Sequence, residues 1–198
     1  MAAEWPRFSR SRAVSLGTHN SKTVRFVAFV NEEPFYFQSA EMGSFVYAGR
    51  CRERRDEISA MISLETIGYF SSQTGSQRYP ACPGSDCSIH ALATSLGSSG
   101  TSLPAALLRA AIGEFRRQAQ IPSEGAALPA MVPGIGWSDQ WSFWQHGYPG
   151  IMVTDTAPVP LSALSRGQRY PDKLDYDSMT RVVAGMEKVI QHLANASP

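Results

Sequence analysis

Two adjacent carboxylates, Glu32 and Glu33, follow the run Val24 to Val30, seven β-prone and mostly apolar residues. Such a run predicts a buried strand over 22–30, with the acid pair at its C-terminal end. Open α/β sheets bind ligands at that edge. Successive residues of an extended segment point in opposite directions, so one carboxylate could bind a metal while the other activates a water. A Glu-Glu pair alone fits a solvated loop better; its place after a strand gives it a functional reading. Glu65 closes a second predicted strand, 58–65, in the same way. Carboxylates at neighbouring strand ends would make a cluster of hard ligands.

Other chemistries lack their residues. His19, His90, His146 and His192 form no HExxH or HxH arrangement. His192 reads as solvated and His146 as a hydrogen-bonded helix end. There is no GxSxG nucleophile elbow, and GSSGTS (97–102) lacks the Gly-Lys-Ser/Thr of a phosphate loop. Cys51, Cys82 and Cys87 are odd in number and unsuited to a disulfide framework or structural zinc. The Trp137, Trp141 and Trp144 cluster suits a core or pocket wall.

The elements that must position these residues alternate along the chain. Helices are predicted from Ser39 to about Arg55 with Met42, Phe45, Val46 and Gly49 inward, and from Ala105 to Ala119 with Leu107, Leu108, Ala111, Ile112 and Phe115 inward. Ser138-Asp139 caps a short third helix. A third strand covers 149–153. The last helix, 173–193, carries Met179, Val182, Val183, Met186 and Ile190 as its stripe. Strands alternating with helices imply an α/β domain with a mostly parallel sheet. With 198 residues the chain is a single domain by size. A net charge of +1 gives no electrostatic case for nucleic acid or an anionic membrane. No stretch reaches the ~18 apolar residues of a membrane span. The arginine-rich start has no apolar core of a secretory signal, which favours the cytoplasm. Residues 1–21, 82–105 and 158–170 show no periodicity; the middle block resembles a Ser/Gly-rich linker.

VRFVAFVNEE, EMGS, MISLETIGYF with GSQRYP, PSEG, GIGWSDQWSFWQHGYPGIMVTDTA and PDKLDYDSM resemble the di-zinc exopeptidases of the bacterial leucyl aminopeptidase and aminopeptidase Y type. The similarity covers residues 22–80, 107–157 and 171–193. It implies a three-layer α/β/α sandwich, here incomplete, and zinc-dependent hydrolysis of N-terminal residues from a peptide or small-molecule substrate. By resemblance Glu32 would be the general base, Glu33 and Glu65 zinc ligands, and Asp139, Trp141, Tyr148 and Asp155 substrate-pocket residues. Zinc would acidify the water and polarise the scissile carbonyl.

The chain departs from that pattern in three places. Nothing matches the family's upstream His and metal-bridging Asp. Its Pro-His-Tyr-His run is replaced by APVPLSALSRGQ, and its Ser-Asp-His-Trp reads Ser138-Asp139-Gln140-Trp141. Two alternatives therefore stand beside an impaired aminopeptidase: a non-catalytic remnant that binds a peptide or partner through the Trp137–Trp144 region, and a glutaminyl-cyclase-like acyl transferase. A displaced reading frame accounts for the patternless blocks. Permissible codons for 160–170, shifted, read Arg-Tyr-Pro-His-Tyr-His-Ala-Ala-Ser-Asp-Thr. The same exercise on 82–105 permits a peptide ending Gly-Asp-Phe-Ile-Gly-Phe-Val-Gly-Asn-Leu, and on 1–16 it permits Met-Ala-Ala-Leu-Leu-Glu-Ile-Ala-Arg.

Overall fold

Apolar residues spaced three and four apart build the largest core. Leu107, Leu108, Ala111, Ile112 and Phe115 are all buried on α2 (Leu103–Ala119), as their period predicts. They face α4 (Tyr176–Asn195), whose buried stripe is Val182, Gly185, Met186, Val189 and Ala194. Val182 and Met186 were expected there. Val183 and Ile190 are only half-buried, because Gly185 lets the two helices approach along a line one residue round from that stripe. A computed structural model describes residues 20–68, 90–95, 103–130, 132–155 and 174–196.

The remaining elements are α1 (Gly43–Glu53), β1 (Met61–Glu65), β2 (His90–Ser95), β3 (Ser123–Leu128), α3 (Gln140–Gln145) and β4 (Gly150–Thr154). The strands form one sheet in the order β1-β4-β2-β3. β1 and β4 are parallel, with Met61 opposite Gly150 and Glu65 opposite Thr154. β2 and β3 are parallel as well, and β2 meets β4 antiparallel. The architecture is mixed α/β. Ile62, Ile151 and Val153 face the α2/α4 core. Met61 packs with Ala48, Cys51, Phe143 and Tyr148 of the α1/α3 side, while Met152 packs with Ile135 and Trp144. Strand alternation thus assigns each side chain to one face.

Four stretches differ from expectation. The expected strand over 22–30 is not a strand. A buried strand needs neighbours to pair its backbone, and among the described residues none lies beside this segment. It crosses the α1/α3 side instead, with Phe29 edge-on to Tyr47 and Phe143 at ring separations of 5.4 and 6.1 Å. Lys22 N–H donates to Ala194 O at 3.0 Å and Gly43 N–H to Val30 O at 2.9 Å, tying its two ends. α1 begins at Gly43 rather than Ser39, because the Ser39 hydroxyl serves a turn, donating to Tyr36 O at 2.6 Å and accepting from Glu41 N–H at 3.2 Å. Its buried side chains are Ser44, Ala48 and Cys51, while Val46 is exposed. Finally, residues 90–95, inside the expected linker, form the central strand β2, and 123–128, read as loop, form β3. Residues 1–19 of the first patternless block and all of 158–170 lie outside the described residues.

Two helices stop in the same way. At the end of α1, Arg55 has φ +60; its N–H bonds Arg52 O at 3.0 Å and the next N–H, of Asp56, bonds Cys51 O at 2.9 Å. At the end of α3, Gly147 at φ +77 bonds Trp144 O at 3.0 Å, and Tyr148 N–H bonds Phe143 O at 2.9 Å. Both are Schellman terminations, the second with its usual glycine. Asp175 caps α4, accepting from Ser178 N–H at 3.0 Å and Ser178 Oγ at 2.6 Å.

Candidate functional site at the C-terminal edge of β1 and β4

Parallel pairing brings Glu65 level with Thr154, so that the next residue, Asp155, stands at the same sheet edge. Asp155 is fully buried. A buried carboxylate needs hydrogen-bond donors, and its Oδ2 accepts from Gly68 N–H. Its own N–H donates to Thr66 O at 3.4 Å. Gly68 O in turn accepts from Asp175 N–H at 2.9 Å, joining the loop after β1 to the cap of α4. Thr66, at φ +43, donates its hydroxyl to Glu65 Oε1 at 3.0 Å. The half-buried Glu65 carboxylate is therefore oriented by its own strand end.

The α1/α3 face brings up two further loops. Ser63, two residues before Glu65 on the same face, shares a hydrogen bond of 2.6 Å with Ser138, both hydroxyls buried. That bond fixes the 132–139 loop against β1 and sets Asp139 at the start of α3. Gln140 is fully buried and donates to Ile135 O at 2.9 Å. Trp141 stacks on Phe45 of α1, centroids 5.9 Å apart and planes 29° apart. Gln38 Nε2 donates to Gly136 O at 3.2 Å, tying the loop of Glu32 and Glu33 to the same place. That loop closes through Gly43 N–H to Val30 O and Asn31 Nδ2 to Glu41 O at 3.3 Å. A Cβ at position 43 would lie 2.7 Å from Val30 O, so the neck needs glycine.

Glu65 and Asp155 thus share one edge, and the loops of Glu32, Glu33 and Asp139 lie on the face that carries α1 and α3. Glu32 is half-buried and Glu33 exposed. Tyr148 stands elsewhere. It precedes β4, at the opposite end of the strands from Glu65, roughly 20 Å away at ~3.3 Å per residue. Its ring packs 6.2 Å from Phe143 and its hydroxyl donates to Asp56 O at 2.9 Å. Asp56 anchors that far end: Arg54 at 2.8 Å and Arg25 at 3.0 Å hold its carboxyl at about 2, well below the usual 3.8.

The donors among the described residues do not by themselves make up a zinc site. Among the described residues no group of three or more His, Cys, Asp or Glu could hold a metal ion. Glu32, Glu33 and Glu65 offer only oxygens, whereas a catalytic zinc takes about three protein ligands and favours imidazole. His146 faces the Phe45 ring at 4.6 Å, and its buried Nε2 has no partner among the described residues. His192 is exposed on α4. His19 and the His90 side chain lie outside the description. The sequence reading missed the Ser63–Ser138 pair; a small polar residue inside the apolar run Met61–Leu64 was its only signal.

No family model matches the chain. It is 32% identical over 163 residues to YfbL, an uncharacterised protein of Escherichia coli strain K12. That stretch is 82% of this chain and 49% of YfbL, so the chain spans about half the length of this relative. Two structures of the LapA aminopeptidase of Legionella pneumophila are similar, each with a TM-score of 0.52. The first is 14% identical, over 79% of this chain and 36% of LapA; the second is 15% identical, over 80% and 39%. At such identity the likeness is one of fold, an aminopeptidase-like α/β arrangement of which this chain holds a part.

Proposed function

We propose that the chain carries part of an aminopeptidase-type hydrolase whose zinc site is not completed by its own residues, leaving peptide hydrolysis impaired. The observation that supports this most is the sheet edge. Glu65 and the buried Asp155 stand together at the C-terminal ends of a parallel strand pair in a LapA-like fold, yet no described imidazole joins them. Glu32 is the candidate base and Glu33 and Glu65 are the candidate metal-facing carboxylates; Asp139 and Trp141 line the approach. Asp155 acts from beneath, holding the 66–68 loop. Zinc, if bound, would supply Lewis acidity and a water of lowered pKa. The chain's own residues would orient the peptide and accept a proton at a Glu32 oxygen.

The missing histidines are part of the same proposal. We assign the lost Pro-His-Tyr-His run to a displaced reading frame over 158–170, and the codons of the gene decide that point. The protein itself is tested by metal analysis after purification in zinc buffer, with hydrolysis of leucine p-nitroanilide by wild type and Glu32→Gln. The expected result is less than one zinc per chain and equal, background-level hydrolysis. Stoichiometric zinc with hydrolysis abolished by Glu32→Gln would overturn the proposal.

A further inference from the structure

The loop closed by Gly43 and Val30 carries more apolar surface than its fold requires. Phe35 is fully exposed, and Val30 is 67%, Tyr36 43% and Trp137 42% exposed. The Gln38–Gly136 hydrogen bond joins the two loops that bear them. Phe35 also has φ +89, with Asn31 at +59 and Gln38 at +56. Bulky residues seldom keep such backbone angles unless the surrounding bonds impose them. Single exposed apolar residues are ordinary, but an aromatic group on tied, adjacent loops marks a contact surface.

Charge names the occupant. From Phe26 to Gly49 there is no Lys, Arg or His, but Glu32, Glu33 and Glu41 are present. The stretch from Val132 to Gln145, tied to it through Gly136, is also without a basic residue, and it carries Asp139. Glu33 and Glu41 are exposed. An aromatic surface set among carboxylates complements a segment in which arginine or lysine alternates with aliphatic side chains. The cations would meet the carboxylates and the ring faces, and the aliphatic groups would cover Phe35 and Trp137. We propose that Phe35, Tyr36 and Trp137, with Glu33 and Glu41, form a docking surface for a cationic, apolar peptide segment of a partner protein. It requires no free amino terminus and no hydrolysis, and of its residues only Glu33 is shared with the proposed peptidase reading.

The test uses a fluorescein-labelled octapeptide of alternating arginine and leucine, acetylated at its N-terminus and therefore closed to an aminopeptidase. Fluorescence anisotropy should show saturable binding by the whole chain. Phe35→Ala should weaken it about tenfold or more, as truncation of an aromatic anchor does. The pair Glu33→Gln and Glu41→Gln should weaken it similarly, and 0.5 M salt should reduce it further. Phe35 touches solvent on all sides, so Phe35→Ala should leave the urea midpoint unchanged. Absence of binding at millimolar chain, equal binding of the glutamate-leucine counterpart, or unchanged affinity in Phe35→Ala would each overturn the proposal. So would sedimentation showing that Phe35 instead seals a dimer of this chain.

Discussion

Two helical glycines should respond to the same substitution with opposite signs. Gly113 lies within α2, and a Cβ there meets nothing within 4 Å. Gly113→Ala should therefore express the bare helix-propensity gain, about 1 kcal/mol. Gly185 lies within α4 at its crossing with α2. Its Cβ would stand 2.8 Å from Ala119 Cβ and 2.8 and 2.9 Å from two carbons of the Phe115 ring. Phe115 is 1% exposed and packed in the largest core, so the ring has no solvent side to move toward. Overpacking of that kind costs about 1–3 kcal/mol, which outweighs the same propensity gain. The two variants should then differ by roughly 1–3 kcal/mol. With a urea slope of about 2 kcal/mol/M, Gly113→Ala raises the midpoint by about 0.5 M and Gly185→Ala lowers or fails to raise it. Equal upward shifts in both would refute the close α2/α4 crossing.

Further substitutions probe other links. Ser138→Ala leaves the buried Ser63 hydroxyl without its partner and should cost about 1–3 kcal/mol. The double alanine should cost less than twice as much, and a urea double-mutant cycle measures the coupling. Gly147→Ala has open space but φ +77, so its loss of about 1–2 kcal/mol would be purely conformational. Asp175→Ala removes the α4 cap, at about 1 kcal/mol. The Ser178 hydroxyl and then its N–H hold the Asp175 carboxyl below its usual 3.8. Its contribution is therefore complete above that pH and lost as pH falls from there toward the folded value. Stability profiles of wild type and Asp175→Asn should converge below pH 3.8; parallel profiles would remove the cap from the account.

What the sequence shows of this fold depends on how each element is stabilised. α2 was legible because Leu107, Leu108, Ala111, Ile112 and Phe115 repeat with a helical period. β1 and β4 were legible as short apolar runs, and Glu65 at its edge with them. The run Val24–Val30 misled because β propensity describes a fit to neighbours, and the described sheet offers this segment none. β2 (HALATS) and β3 (SEGAAL) were hidden for the converse reason: alanine and glycine are poor strand formers, and ladder pairing overrides them. Within the site, no pattern could separate Asp155, fully buried beneath the edge, from a carboxylate facing substrate. Tyr148 was named only through the family resemblance; the structure places it before β4, after the Schellman turn at Gly147, where its hydroxyl donates to Asp56 O.

The strand order has a consequence for synthesis. β1 leaves the ribosome with Glu65, and among the described strands its neighbour is β4, which begins at Gly150. β2 and β3 can pair with each other sooner, yet they too reach β1 only through β4. At ~5–20 residues per second the nascent chain carries β1 unpaired for on the order of ten seconds. During that interval Leu64, still 47% exposed in the finished fold, and the open backbone of β1 are available to any other extended chain. Yield of this protein in cells should therefore follow chaperone supply and translation rate more closely than its equilibrium stability.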